Sequence, residues 1–282
     1  KIGATTVWPM LKIHAPFMQP THPSPAALAD VPDIISSRVP GGVCPTTGGL
    51  ILPVQGFVLK TPHHTILVDA CVGNDKTVPG MPEWHQRNGT RFQASFIAAG
   101  ITFEDIDYVL CTHLHTDHCG WNTRLVDGRW VPTFPNARYL ITSLELDHIR
   151  ADDHMGVFEP SVEPLLAAGV VDAVSTDHVL TPQVRLVATP GHTPGHVSVA
   201  IESVGHRATI TGDAVHSPIQ LAHPELAATP FDHDSTQSTA SRHELIAGHL
   251  DTDRRLLGTH FAPPCAGWLQ TVDGAIVFTA DR

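Results

Sequence analysis

The stretch His113-Leu-His-Thr-Asp-His118 decides how this sequence is interpreted. Three imidazoles and one carboxylate follow directly on the β-favouring run Ile106–Thr112. If the strand continues through the stretch, His113 and His115 point to the same side and can face one metal ion. A loop or helix start after them would bring the last two residues round to a second position. Because His and Asp side chains suit zinc and similar divalent ions, the stretch predicts a metal site.

Three further residues of the ligand type follow later predicted strands. They are His192 after Val184–Ala188, Asp213 after the strand that ends at Ile210, and His260 after Leu256-Leu257. Sheets commonly gather active-site groups where their strands end. We therefore expect these residues to take part in the same site as the first stretch.

This ordered set resembles the signature H-x-H-x-D-H…H…D…H of the metallo-β-lactamase superfamily, over roughly Gly49 to Pro264. The resemblance implies an α/β fold, a four-layer αββα sandwich, with a two-metal site. It assigns the metal ligands as follows: His113, His115 and His192 to the first ion, Asp117, His118 and His260 to the second, and Asp213 to both. It also implies that Asp69 supports the site without contacting a metal.

Two divalent ions would give a nucleophilic bridging hydroxide at neutral pH, and Asp117 could orient it. Zinc is the expected metal, and Mn, Co or Fe would suit the same ligands. The sequence therefore predicts a dinuclear hydrolase acting on a small, fairly apolar ester or lactone. Two alternatives stay open: a phosphotriesterase-type hydrolase of organophosphates, and an iron-dependent oxidoreductase of the persulfide dioxygenase type.

Three residues outside the ligand set are candidates for contact with the substrate. His216, three residues after Asp213, stands where lactonases of the superfamily often carry a tyrosine, and it is either a proton donor or structural. Trp121 and Trp84 are candidates for an apolar pocket wall. His196 is expected to be structural, since His192 already fills the ligand position.

Composition excludes several classes of function. The 282 residues carry a formal charge of −11 at pH 7, which disfavours a nucleic-acid partner. The longest apolar run, Leu165–Val171, has 7 residues and predicts no membrane span. Five cysteines form no C-x-x-C pair and are expected to be free and buried. A cytoplasmic location is expected, with a processed exported protein left open.

The chain is expected to contain a single catalytic domain preceded by an arm. Residues 1–48 are interpreted as an extended Pro/Gly-rich arm, and residues 49–282 as one metallo-β-lactamase-like domain. The arm could reach a neighbouring subunit, so a homodimer stays open. The expected partner is a small-molecule substrate.

Overall fold

A computed structural model describes residues 1–18, 42–78, 80–226 and 231–281. These residues form two compact units. The first comprises Lys1–Lys12 and Val54–His178, and the second comprises Ile13–Pro53 and Val179–Arg282. Each unit has a large sheet of its own.

Strands alternate with short helices along most of the described chain. In chain order the strands are β1 (Thr6–Ile13), β2 (Pro16–Met18), β3 (Leu50–Ile51), β4 (Val54–Lys60), β5 (Thr65–Val68), β6 (Tyr108–Leu110), β7 (Thr123–Val126), β8 (Arg129–Pro132), β9 (Arg138–Thr142), β10 (Val171–Val174), β11 (Val179–Thr181), β12 (Val184–Ala188), β13 (Val197–Ser203), β14 (His206–Ile210), β15 (Arg255–Leu257), β16 (Ala266–Val272) and β17 (Ala275–Ala280). The α-helices are α1 (Arg91–Ala99), α2 (Thr116–Cys119), α3 (Ser143–Ala151), α4 (Glu163–Ala167), α5 (Ile219–Ala222) and α6 (Ser235–His249).

The sheet of the first unit has the order β1-β4-β5-β6-β9-β10. Its central strands β5 and β6 are parallel, and their apolar residues Leu67, Val68, Val109 and Leu110 are fully buried. Since the carboxyl ends of parallel strands meet at one edge, the residues that follow β5 and β6 lie close together. This edge carries the first part of the predicted site.

The sheet of the second unit has the order β11-β12-β13-β14-β15-β16-β17. Strand β13 is antiparallel to both β12 and β14, and β14 is parallel to β15. The strands β12, β14 and β15 therefore all end at the same edge of this sheet. His192, Asp213 and His260 follow these three ends.

The predicted arm lies partly outside the described residues, which omit 19–41. Within it, Thr6–Ile13 forms a strand at the edge of the first sheet, and Pro16–Met18 pairs with Leu50–Ile51. The division into an arm of residues 1–48 and a domain of residues 49–282 stays a prediction. Of the helices within the described ranges, none combines the length and apolar character needed to cross a membrane.

Lys76 is a buried cation that the sequence pattern did not single out. It is only 2 % exposed, and its Nζ donates to Thr123 Oγ1 and to Pro160 O, both at 2.6 Å. The same atom lies 3.6 Å from the ring centroid of Trp130. Burial lowers the pKa of Lys76 to about 7, although the Asp75 carboxylate acts in the opposite direction.

The pKa of Lys76 predicts a pH-dependent stability. Between pH 7 and pH 9 the unfolded chain holds a proton on this residue that the folded chain has released, so the free energy of unfolding rises with pH. We expect this rise to be about 2 kcal/mol larger in the wild-type protein than in Lys76→Met. Urea unfolding of both proteins at the two pH values measures it, and equal rises would contradict the pKa.

Candidate metal and catalytic site

The first histidine cluster (His113, His115, Asp117 and His118) lies between β6 and α2 in the first unit. The expectation that His113 and His115 extend a strand is wrong, because β6 ends at Leu110 and the backbone bends before α2 starts at Thr116. Of the loop or helix start considered after this stretch, the structure has a helix start, and the four-residue helix α2 carries Asp117 and His118.

Two carboxylates bind backbone amides between strand β6 and helix α2. The Thr112 amide donates to Asp69 Oδ1 at 2.8 Å, and the Thr112 hydroxyl donates to Asp69 Oδ2 at 2.9 Å. The Leu114 amide donates to Glu145 Oε2 at 3.1 Å. Because these amides bond carboxylates and not a neighbouring strand, the chain forms a bend that gathers its imidazoles.

The imidazoles of the first histidine cluster pack against one another. The ring centroid of His113 lies 4.1 Å from that of His118 and 4.5 Å from that of His115. His113 and His118 are fully buried, and Asp117 Oδ2 lies 3.5 Å from His118 Nε2. Such a concentration of nitrogen and oxygen donors suits a divalent ion.

Asp69 contacts the imidazole of His118. Its Oδ2 lies 2.9 Å from His118 Nδ1, and both side chains are almost wholly buried. Asp69 adopts a positive φ of 59°, and its carbonyl oxygen would lie 2.0 Å from a Cβ added at Gly56. Glycine at position 56 therefore allows this backbone to approach, and the Asp69 carboxylate leaves His118 Nε2 available to a metal.

The second histidine cluster (His192, Asp213, His216 and His260) lies in the second unit and converges on one carboxylate. Nε2 of His192 lies 3.4 Å from Asp213 Oδ2, and Nε2 of His260 lies 3.1 Å from Asp213 Oδ1. Nε2 of His216 lies 3.1 Å from Asp213 Oδ2. All four side chains are buried or nearly so. His192, Asp213 and His216 each offer a ligand atom, and these atoms lie within 4.8 Å of one another.

The other ring nitrogen of two of these imidazoles is held by the protein. Nδ1 of His192 lies 3.0 Å from Asp232 Oδ1, and Nδ1 of His260 donates to Pro53 O at 2.7 Å. These contacts direct Nε2 toward the centre of the cluster. An imidazole held at one nitrogen by a carboxylate or carbonyl is the usual arrangement of a metal-binding histidine, so the residues fit a divalent ion.

His196 fixes the backbone of Asp213 and is structural, in agreement with its predicted role. Its Nε2 accepts the Asp213 amide at 2.9 Å, and its Nδ1 donates to Thr189 O at 3.0 Å. This pattern requires a neutral imidazole with the proton on Nδ1.

His216 belongs to the second histidine cluster by geometry. Its ring stacks on that of His260 with an interplanar angle of 4° and centroids 5.5 Å apart. Burial lowers the pKa of His216 below its ordinary value, although the Asp213 carboxylate opposes this change. Its imidazole therefore favours the neutral form.

The comparisons with known proteins agree with this geometry. The sequence profile described as "Metallo-beta-lactamase superfamily" matches residues 49–260. The chain belongs to this superfamily. The match spans both histidine clusters, and it confirms the coarser functional prediction, a hydrolase of the metallo-beta-lactamase superfamily.

Similar proteins include lactonases and other hydrolases. An N-acyl homoserine lactonase from a Bacillus species is 26 % identical over 200 residues, which cover 64 % of this chain and 68 % of that protein. The crystal structure of the hydrolase AbOPH matches 100 % of this chain and 96 % of that one at a TM-score of 0.81 and 22 % identity. AidC, a dizinc quorum-quenching lactonase in complex with a product, has the same coverage at a TM-score of 0.77 and 21 % identity. The predicted α/β fold of the metallo-β-lactamase type is confirmed.

The two tryptophans chosen as pocket residues are largely buried in this superfamily member. Trp121 is 3 % exposed and stacks on Phe92 with ring centroids 5.0 Å apart, and Lys12 Nζ lies 5.3 Å from its ring centroid. Trp84 is 4 % exposed, and its amide donates to Met81 O at 3.0 Å. Their contribution to a substrate pocket stays a prediction.

The cysteines beside the first histidine cluster are packing residues in this superfamily member. Cys111 and Cys119 are free and buried. Burial raises the pKa of Cys111 to about 12 and that of Cys119 well above its ordinary value. Both remain thiols at neutral pH, which suits packing better than metal binding.

Sequence reasoning missed two carboxylates that shape the clusters. Asp232 lies 40 residues from its partner His192, and Glu145 lies 31 residues from Leu114. Asp232 matches no motif spacing, so the sequence carries no local signal for it. The capping position of Thr142, whose hydroxyl accepts the Glu145 amide at 3.3 Å, locates Glu145 in a helix but does not reveal its contact with Leu114.

Proposed function

We propose that this chain is a dinuclear metal-dependent hydrolase of a small, fairly apolar carboxylic ester or lactone. The observation that carries the proposal is the Asp213 carboxylate with the Nε2 atoms of three imidazoles 3.1 to 3.4 Å away. A shared carboxylate among imidazoles is suited to two adjacent cations. The similarity to an N-acyl homoserine lactonase and to the lactonase AidC supports the lactone class.

The proposed ligands are the seven residues that the resemblance to the superfamily assigns. They are His113, His115, Asp117, His118, His192, Asp213 and His260. Zinc is the proposed metal, because neutral imidazoles and carboxylates are its usual ligands and AidC is a dizinc enzyme. Bound divalent ions supply a Lewis acid and lower the pKa of water to near neutrality.

Two residues of the chain are proposed to orient the attacking water and to protonate the leaving group. Asp117 can accept a hydrogen bond from the attacking water and orient it. His216 has a buried Nδ1 for which the described residues provide no hydrogen-bond partner. Nε2 of His216 faces Asp213 Oδ2, so the neutral ring carries its proton there, and Nδ1 can take up the proton that the attacking water loses. The doubly protonated ring can then donate this proton to the leaving oxygen when the ester bond breaks.

Metal analysis of the purified protein, followed by a hydrolysis panel, tests this function. The panel contains an N-acyl homoserine lactone, an aryl ester, a thioester, a β-lactam and a neutral phosphotriester. We expect two zinc-like ions per chain, and a kcat/KM for the lactone or the aryl ester that exceeds the others. A higher kcat/KM for the phosphotriester would select organophosphate hydrolysis instead. A single iron per chain with oxygen uptake would select the oxidoreductase.

Replacing Asp232 with Asn is expected to weaken zinc binding by about 10- to 100-fold, because the charge that orients His192 is lost. Competition with a chromophoric chelator measures the affinity. Asp234→Asn is the matched control, since Asp234 caps helix α6 by accepting the amides of Thr236 and Gln237, and asparagine caps equally well. Equal affinities in the Asp232 variant and its control would contradict the role of Asp232.

A further inference from the structure

Arg242 is a buried cation in helix α6 that the proposed chemistry does not use. It is 0 % exposed. Its Nε donates to Pro224 O at 2.8 Å, and its Nη1 donates to Ser238 Oγ at 2.8 Å and to Ala214 O at 3.4 Å. Its Nη2 donates to Thr239 Oγ1 at 3.2 Å. Burying a guanidinium costs free energy unless its N–H groups find acceptors, and here all three nitrogen atoms do.

The two carbonyl acceptors of Arg242 are the two ends of one segment, residues 214–224. Between them, Gln220 links His216 to Leu226, which lies just beyond the segment. Its Oε1 accepts the amide of His216 at 2.7 Å, and its Nε2 donates to Leu226 O at 2.8 Å. Arg242 therefore anchors the ends of the segment on helix α6, and Gln220 fixes its interior.

This segment carries His216. Its imidazole is held differently from the imidazoles of His192 and His260. Nδ1 of His192 and of His260 is bonded to Asp232 and to Pro53, respectively. Nδ1 of His216 has no such partner among the described residues. Apart from its contacts with Asp213 and with the ring of His260, the position of His216 thus depends on the backbone of the segment.

We propose that Arg242 is a positioning residue that holds segment 214–224 so that His216 lies against Asp213. The proposal deepens the proposed function, and it rests on that function only for the role of His216 in the reaction. The guanidinium suits the task because its fork reaches two carbonyls at once. A lysine at position 242 has a single ammonium group and would hold one end of the segment at a time.

Hydrogen exchange and kinetics of Arg242→Gln test the proposal in the metal-loaded protein. We expect exchange of the amides in 214–224 to be at least about 10-fold faster, with the metal content unchanged. We expect kcat to fall about 10- to 100-fold, a loss within the range for a misplaced proton donor, and KM to change little. Arg242→Lys should recover part of both effects. Arg185→Gln, an exposed site in the same unit, should show neither.

A double-mutant cycle separates positioning from general destabilisation. If Arg242 acts through His216, Arg242→Gln should cause no further loss of kcat in a His216→Ala background. Losses that multiply, or unchanged exchange in 214–224, would overturn the proposal. If His216→Ala keeps wild-type kcat, the proton-donor assignment fails, while the exchange data still decide the positioning role. If Arg242→Gln does not fold, Arg242→Lys and Gln220→Met carry the same measurements.

Discussion

Replacing Asp213 with Ala is expected to lower kcat/KM by about 1,000-fold or more, equivalent to about 4 kcal/mol of transition-state stabilisation. Metal content should fall at the same time. The reason lies in the geometry of the second histidine cluster, where the Nε2 atoms of His192, His216 and His260 all approach this one carboxylate within 3.4 Å. Without it, the imidazoles have no shared anion and two adjacent cations would repel each other.

Metal analysis and steady-state kinetics on the same preparation measure this prediction. Asp213→Asn adds an isosteric variant that removes the charge and keeps the volume. Asp253→Asn removes an equal charge from the second unit at an exposed side chain paired with Arg207, and it should behave as wild type. If Asp213→Ala kept two metal ions and the wild-type kcat, Asp213 would not be a ligand.

The strand ends of the second unit could be predicted from the sequence because their signals are local. The predicted strand Val184–Ala188 is β12 with the same bounds, and the strand predicted to end at Ile210 is β14. In each case β-favouring residues stop at a Gly- or Pro-containing turn, and the ligand-type residue follows within a few positions. Position after a strand was therefore enough to select His192 and Asp213.

The bend at His113 could not be predicted in the same way. The residues Ile106–Thr112 favour a strand, but Asp69 and Glu145 bind the amides of Thr112 and Leu114 from 43 and 31 positions away. A local pattern of hydrophobic residues cannot indicate hydrogen-bond partners that are this far away in the sequence. The orienting residue Asp69 was found only through a resemblance to the superfamily, and Asp232 was not found at all.

Arg242 was missed for a related reason. Arginine in a helix is usually solvent-exposed, so a helical sequence pattern places it on the polar face of the helix. Burial of Arg242 is made possible by the carbonyls of Ala214 and Pro224, which come from a loop 18 and more residues earlier in the chain. The sequence pattern of helix α6 describes that helix alone. The two carbonyls that accept from Arg242 belong to a different part of the chain, so the pattern does not reveal them.

Stripping the protein with a strong chelator is expected to remove all hydrolytic activity and to lower the free energy of unfolding. A ligand present at about 1,000 times its Kd stabilises a folded protein by about 4 kcal/mol, so loss of tightly bound ions should be visible in thermal unfolding. Metal analysis, thermal unfolding and lactone hydrolysis, measured on one chelated sample, give the result. Protein that loses its metal ions and keeps its activity would contradict a metal-dependent reaction.

Adding zinc back in measured equivalents then tests whether two ions are needed. The seven proposed ligands are enough for a pair of ions, and Asp213 is proposed to serve both. Activity should therefore appear only as the second equivalent binds, while part of the thermal stability returns with the first. Full activity after one equivalent would show that a single ion suffices. Asp213→Asn provides the comparison, since it should recover little activity at any amount of zinc.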